Sequence, residues 1–187
     1  MSNSGKISYR HDAPIGRIPI LGISPSIEGG RWPAKAFAGE VIPFSANVFR
    51  EGHDSVAAEI LLTNPAGKTT VIPMSPGAPG TDRWYAKAQI PGEGDYSFQV
   101  RAYGDDYETW HHAASVKIAA GIDEELMLLE GVRLFTRAAS EKGRGKTSAK
   151  LLAELAEKLG DTSTAATARL ELAEDAKLLA SLAKEPI

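Results

Sequence analysis

Two adjacent carboxylates, Asp105 and Asp106, are the residues of this chain that could do acid–base chemistry on a sugar. A retaining glycosidase needs two carboxyl groups about 5 Å apart, one as the nucleophile and the other as the acid and base. The pair follows Gly104 at a predicted turn between strands, where aspartate is favoured because its side chain bonds to nearby backbone. We therefore assign no catalytic residue to the chain.

The residues Gly145, Lys146 and Thr147 have the types that end a phosphate-binding P-loop. The full pattern needs a glycine where this chain has Ser140, and it needs a strand before the loop. Residues 126–139 instead predict a helix, which favours a linker between two helices. A nucleotide-binding switch is the alternative, and it predicts affinity for ATP or GTP.

The histidines His111 and His112 follow Trp110 in a segment predicted to be a strand, 108–118. Neighbouring residues of a strand face opposite sides, so this pair could not easily bind one metal. Zinc needs three or four converging ligands, and no spacing in the chain indicates them. We therefore assign no metal and no cofactor.

Tryptophan side chains can stack on sugar rings, and the chain has three of them. In the predicted strands, Trp84 and Trp110 each share a face with apolar residues, which indicates core positions. Trp32 lies between Arg31 and Pro33, outside a clear strand. It is the candidate for a contact with carbohydrate.

A charged corner, Arg50 to Asp54, follows the strand predicted over 41–50, and it contains Arg50, Glu51, His53 and Asp54 around one glycine. Exposed ion pairs add little stability, so a salt-bridged turn is one explanation. The other is a loop that contacts another domain or subunit. We favour the contact loop and predict that these four side chains form an interface.

The amino-acid composition of the chain, and with it the type of secondary structure that must position these residues, changes near Ala119. Twelve of the thirteen aromatic residues and ten of the eleven prolines precede it, and alanine and leucine dominate afterwards. Aromatics favour strands, while alanine and leucine favour helices. We predict a flexible N-terminus over 1–13, an immunoglobulin-like β-sandwich over 14–118 and a helical segment over 119–187, part of a truncated bundle.

Periodicity and turn residues divide these regions further. The predicted strands cover 17–23, 34–38, 41–50, 55–63, 69–74, 83–90, 95–103 and 108–118. A first helix is predicted from the N-cap Asp123 to a point before Gly143, a second over 148–159, and a third over about 162–184. The apolar stripe of the third helix comprises Ala165, Ala168, Leu172, Ala176, Leu179 and Ala183.

Composition excludes several classes of protein. The net charge of −3 and the scattered basic residues argue against nucleic acid as a partner. No apolar run approaches the roughly 20 residues that span a bilayer, so no membrane segment is predicted. The chain has no cysteine, which is typical of a cytoplasmic protein.

Five segments together resemble a known family: RWPAKAFAGEVIPFSANVFREGHD at 31–54, GRIPI at 16–20, PGTDRW at 79–84, YETWHH at 107–112 and AGIDEELMLLEG at 120–131. They are similar to the N-terminal domain of bacterial α-1,4-glucan:maltose-1-phosphate maltosyltransferases, in the α-amylase superfamily (glycoside hydrolase family 13). The helical tail after Gly131 resembles the family only in its general character and not in specific motifs.

The resemblance implies an enzyme that moves maltosyl units from α-maltose 1-phosphate to α-1,4-glucan by a retaining mechanism, in glycogen-type glucan synthesis. It places the catalytic barrel well after Ile187, so this chain would be an inactive fragment. It also implies a homodimer that the sandwich and helices help to build. The alternative is a free-standing α-glucan-binding module, for which Trp32 would be essential.

Overall fold

The computed structural model describes residues 17–187, which form two antiparallel sheets followed by five α-helices. The strands are β1 (Ile20–Ser24), β2 (Val41–Val48), β3 (Val56–Thr63), β4 (Thr69–Pro73), β5 (Ser75–Pro76), β6 (Arg83–Gln89) and β7 (Ser97–Gly104). One sheet has the order β1-β2-β6-β5 and the other the order β4-β3-β7. The flexible N-terminus predicted over 1–13 lies outside the described residues.

The two sheets share one hydrophobic core, to which alternate residues of their strands contribute. Phe44, Ala46 and Val48 of β2 are almost fully buried, as is Ile60 of β3. The ring of Phe44 meets Phe98 of β7 edge to face, with ring centroids 4.9 Å apart. This packing confirms a sheet-rich region followed by helices, whereas the immunoglobulin-like topology stays a prediction.

The helices are α1 (Asp106–Ala119), α2 (Glu124–Ala139), α3 (Lys146–Leu159), α4 (Ala166–Glu171) and α5 (Ala176–Leu182), with a 3₁₀ turn at Leu172–Glu174. The change from strands to helices therefore falls at residues 104–106, well before the predicted boundary. In the part of the chain that the structure describes, no helix is both long and apolar enough to cross a bilayer.

Two predicted strands are wrong. Residues 108–118 form most of α1, because the Asp105 carboxylate caps the helix by accepting from the backbone N–H of Glu108 at 2.9 Å. Residues 34–38 belong to a loop that ends in a turn, in which the N–H of Phe37 donates to the Glu40 carboxylate at 2.8 Å.

The predicted third helix is also wrong as a single element. Asp175 adopts extended φ/ψ of −57° and 130°, and its carboxylate accepts from the N–H of Lys177 and of Leu178. That cap starts α5 anew and shifts the helical phase. The predicted stripe is mostly exposed on both sides of Asp175, and the core instead receives Ala166, Leu170, Ala173, Leu178 and Leu182.

The helical core centres on Trp110, which is 7% exposed. Its indole N–H donates to the carbonyl of Met127 at 2.8 Å, and Phe135 packs on it edge to face with centroids 5.1 Å apart. Gly131 lies under the indole, so α1 and α2 approach closely at that point.

Candidate functional site: a charged corner and an aromatic loop

The charged corner, Arg50 to Asp54, connects β2 to β3, and Ser55 directly after it contacts the start of α1. Arg50 pairs with Asp54 at 2.9 Å, and its guanidinium lies against Gly104 at the end of β7. Ser55 fixes the far side, since its carbonyl accepts from Asp105 N–H and its N–H donates to Thr109 Oγ1, both at 2.9 Å. The corner is thus held where the sheets meet the helices.

Three of the predicted interface residues, Glu51, His53 and Asp54, are exposed on this corner. Within residues 17–187 neither Glu51 nor His53 forms an ion pair. Arg50 and Asp54 form the salt bridge that the simpler explanation requires. An interface formed by all four side chains stays a prediction.

The carboxylates of Asp105 and Asp106 serve two separate structural contacts. Asp105 caps α1, while Asp106 accepts from the guanidinium of Arg137 on α2 at 2.6 Å. Their positions are those of a helix start, which agrees with assigning no catalysis to them.

Tyr107 ties α1 to the 3₁₀ turn through its hydroxyl, which donates to the carbonyl of Ala173 at 2.8 Å. Burial, with added repulsion from the carboxylates of Glu108 and Glu174, raises the pKa of Tyr107 to about 12. Burial likewise raises the pKa of Tyr103 beside it. Both phenols stay protonated in the folded chain at neutral pH.

Alkaline pH is expected to weaken the fold through Tyr107. The unfolded chain loses this proton near pH 10 and the folded chain only near pH 12, so stability is complete below pH 10 and falls as the pH rises toward 12. Urea unfolding from about pH 9 to about pH 11 measures the slope, which Tyr107→Phe should flatten. An unchanged slope in that variant would refute this assignment.

Gly145 lies between α2 and α3, as the linker interpretation requires. Its N–H points at the Glu185 carboxylate, with donor–acceptor distances of 3.2 and 3.3 Å. Arg144, buried beside it, donates to the carbonyls of Glu185 and Pro186. A carboxylate of the same chain thus fills the place where a P-loop would hold phosphate, which argues against a nucleotide site.

The histidine pair lies on α1 and not on a strand, which corrects their predicted orientation. His111 is half-buried, stacks on Tyr107 at 5.5 Å and lies 3.2 Å from a Glu174 oxygen, while His112 is exposed. Among the described residues, no three acidic or histidine side chains are close enough together to hold a metal ion.

As predicted, two of the three tryptophans pack on the cores and the third, Trp32, is exposed. Trp110 is buried, and half-buried Trp84 packs on the sheet core and donates to the carbonyl of Val48 at 3.1 Å. Trp32 is 55% exposed. Its indole N–H donates to the Glu28 carboxylate at 3.1 Å, and the guanidinium of Arg31 lies 5.7 Å from the ring centroid.

Glu28 is the part of this arrangement that the sequence analysis missed. It precedes Trp32 by four residues across Gly29 and Gly30, and left-handed backbone at Glu28, Gly29 and Gly30 brings the two side chains together. The pair of glycines was the available signal for such a tight reversal.

Comparison with known proteins gives a consistent result. The sequence profile described as "Alpha-1,4-glucan:maltose-1-phosphate maltosyltransferase, domain N/S" matches residues 16–187. Maltosyltransferase 1 of Streptomyces coelicolor is 42% identical over 186 residues, 99% of this chain and 27% of that protein. Maltosyltransferase 2 of the same organism is 43% identical over 174 residues, 92% of this chain and 26% of that protein. The enzyme of Bifidobacterium animalis is 31% identical over 202 positions, 97% of this chain and 28% of that protein. The chain spans about a quarter of the length of these relatives.

Proposed function

Because the chain belongs to the domain N/S family of the α-1,4-glucan:maltose-1-phosphate maltosyltransferases, we propose that it is a non-catalytic scaffold and homodimerisation region of such an enzyme. The observation that carries the proposal is the family match over residues 16–187. The whole enzyme would transfer maltosyl units to α-1,4-glucan in glycogen-type synthesis, by a retaining mechanism of the α-amylase superfamily. An immunoglobulin-like sandwich and a cytoplasmic location belong to the same proposal.

The carboxylates support a non-catalytic role. Asp105 caps α1, Asp106 accepts from Arg137, and Glu125 accepts from Arg169. Retaining transfer needs a nucleophile and an acid/base facing one sugar. The chemistry would therefore reside in a catalytic barrel belonging to the same enzyme and outside this family's domain.

The surface supports self-association. Four large apolar side chains lie exposed around the connection between α1 and α2, and we call them the α1–α2 patch: Val116, Ile122, Leu126 and Leu129. Val116 follows Thr109, which accepts a hydrogen bond from the N–H of Ser55 next to the charged corner, by seven residues. The two residues therefore lie on one side of α1, about 10 Å apart along its axis. We therefore place the corner and the patch on one contact surface, for which a standard interface buries roughly 800 Å² per partner.

The purified chain is expected to be inactive and dimeric. Incubated with α-maltose 1-phosphate and glycogen it should release no phosphate, and sedimentation at high micromolar concentration should show a dimer. The double variant Leu126→Asp/Leu129→Asp should weaken the dimer by at least about tenfold, since it buries charge at the contact. Transfer activity in the chain would contradict the non-catalytic role.

A matched control and a second variant localise the contact. Leu179→Asp changes a leucine of α5 that is exposed to a similar degree but lies outside the patch, and it should leave the dimer intact. Glu51→Lys combined with His53→Ala tests the corner, where a smaller, salt-dependent weakening is expected. A strict monomer for the unmodified chain would refute the dimer proposal.

A further inference from the structure

The outward side of the first sheet is apolar at positions where a solvent-facing sheet is usually polar. In β2, Phe44 and Ala46 point into the core, so the residues that alternate with them, and their partners on β1 and β6, point outward. Three of the outward side chains are large, apolar and more than half exposed: Leu21 at 55%, Val41 at 53% and Tyr85 at 52%. We call the outward side of β1, β2 and β6 the outer face.

The polar side chains in the middle of the outer face are already hydrogen-bonded to one another. The guanidinium of Arg83 donates to the side-chain oxygen of Asn47 at 2.9 Å, to the carbonyl of Gly22 at 3.0 Å and to the hydroxyl of Ser45. A polar group is costly to bury chiefly when it has no partner. Another protein surface can therefore cover this face without leaving these groups unpaired.

The outward side of the second sheet has the composition of a surface that faces water. Glu59, Gln99 and Arg101 occupy outward positions on β3 and β7, and Arg101, whose side chain is 56% exposed, pairs with Glu59. Among the described residues of this sheet, Val71 on β4 is the one large apolar side chain that lies exposed. The two sheets thus differ, and the first is the one suited to being covered.

The outer face also carries positive charge. Arg83 and Lys87 are the charged residues of the described strands β1, β2 and β6, and none of these strands contains a carboxylate. The groups that accept from Arg83 are neutral, so its charge is not balanced within the face. A matching surface would be apolar with acidic residues opposite these two cations, because complementary charge selects a partner and its orientation.

A second copy of the chain is the less suitable occupant of this face. In a two-fold dimer the same patch of each copy meets the other, so like charges would be brought together. The α1–α2 patch has no such conflict, because its four exposed side chains are apolar.

We infer that the outer face is the surface on which the catalytic barrel of the same enzyme docks. The inference rests on the proposed function, which supplies the barrel and assigns the α1–α2 patch to a second copy. About three quarters of the length of each relative lies outside the part that this chain matches, so such an enzyme has a large body of chain to pack here. Interfaces between domains of one chain bury roughly 600–1,500 Å² and are more polar than obligate interfaces, which suits a face with paired polar groups.

Hydroxyl-radical footprinting of the full-length enzyme that contains this region tests the inference. Tyr85 should be oxidised at least about fivefold more slowly in the enzyme than in the purified chain, as expected when an exposed side chain enters the core of an interface. Leu21 should be protected in the same way. Val71 is the internal reference, because it is 48% exposed on the second sheet and should be oxidised equally in both proteins.

The variant Tyr85→Asp probes the same contact in the full-length enzyme. A carboxylate is costly to bury in an apolar contact and repels acidic residues opposite it, so Leu21 should be oxidised at the rate found in the purified chain. Val71→Asp is the matched control on the second sheet and should leave Leu21 protected. Circular dichroism of the purified chain should show that both variants fold, because both positions are exposed.

Equal oxidation of Tyr85 in the chain and in the enzyme would overturn the inference. Protection of Tyr85 already in the dimer of the purified chain would also overturn it and would assign the outer face to a second copy. Loss of Leu21 protection in Val71→Asp would do the same for the specificity of the contact. Phosphate release and sedimentation of the purified chain test the proposed function separately, since a monomeric chain would refute the dimer without changing the footprint of the enzyme.

Discussion

Replacing Arg169 by alanine is expected to lower the free energy of unfolding by about 3 kcal/mol. Arg169 is 2% exposed, and its guanidinium is bidentate to Glu125 on α2 and donates to the carbonyl of Leu159 at 3.1 Å. Leu159 ends α3, so this one side chain joins three helices. Its removal leaves a buried carbonyl unpaired, which costs about 1–3 kcal/mol, and also removes the packing of its stem.

Graded variants separate these contributions to stability. Arg169→Met keeps most of the volume without a donor and should lose less than Arg169→Ala. Glu125→Gln should lose least, because its side chain is 64% exposed and Arg169 keeps the Leu159 carbonyl. Urea denaturation measures the series. Equal stability of Arg169→Ala and the unmodified chain would contradict the role of the guanidinium.

The pH dependence of the free energy of unfolding in acid gives a second measurement on the pair formed by Arg169 and Glu125. The hydrogen bond from Arg169 lowers the pKa of Glu125 below its ordinary 4.5 in the folded chain. The stabilisation is therefore present above pH 4.5 and is lost as the pH falls through the folded value. In Arg169→Met, this contribution to the pH dependence of the free energy of unfolding should be absent.

The strands could be predicted from sequence because one face of each sheet is buried. In β2, Phe44 and Ala46 face the core as the alternation predicts, and in β7 the side chains of Phe98 and Val100 are less exposed than that of Gln99. A register slip by one residue would exchange these faces, so the pattern carries strong information. The two-residue β5 has no such pattern to detect.

Helix α1 was missed because its buried residues are four apart. Trp110, Ala114 and Ile118 satisfy both a period of two and a helical period, so parity alone could not distinguish them. The missed signal was local: Asp105 followed three residues later by Glu108 has the spacing of a capping box. That spacing predicts a helix that starts near residue 105, where α1 is observed.

The candidate site could be predicted only in part. An exposed Trp32 followed from its place between Arg31 and Pro33, outside a patterned strand. Its link to Glu28 depends on a backbone reversal with left-handed φ, which residue type alone does not determine. The contact of Ser55, next to the charged corner, with α1 depends on tertiary packing and could not be predicted from the corner's own residues.

Gly131→Ala is expected to destabilise the chain by about 3 kcal/mol, although alanine is the better helix former by about 1 kcal/mol. A Cβ at Gly131 would lie 2.5 Å from Cζ2 and 2.7 Å from Cε2 of Trp110. The indole cannot retreat easily, because it bonds to Met127 and packs on Phe135. Steric repulsion therefore exceeds the gain in helix propensity.

A double-mutant cycle assigns this cost to the indole. Trp110→Phe removes the atoms that the new methyl group would meet, so adding Gly131→Ala in that background should cost little or stabilise α2. Gly92→Ala is the control, because a Cβ at Gly92 would meet nothing within 4 Å. This substitution should change the free energy of unfolding little. If Gly131→Ala costs the same in both backgrounds, the close approach of α1 and α2 is not what requires glycine here.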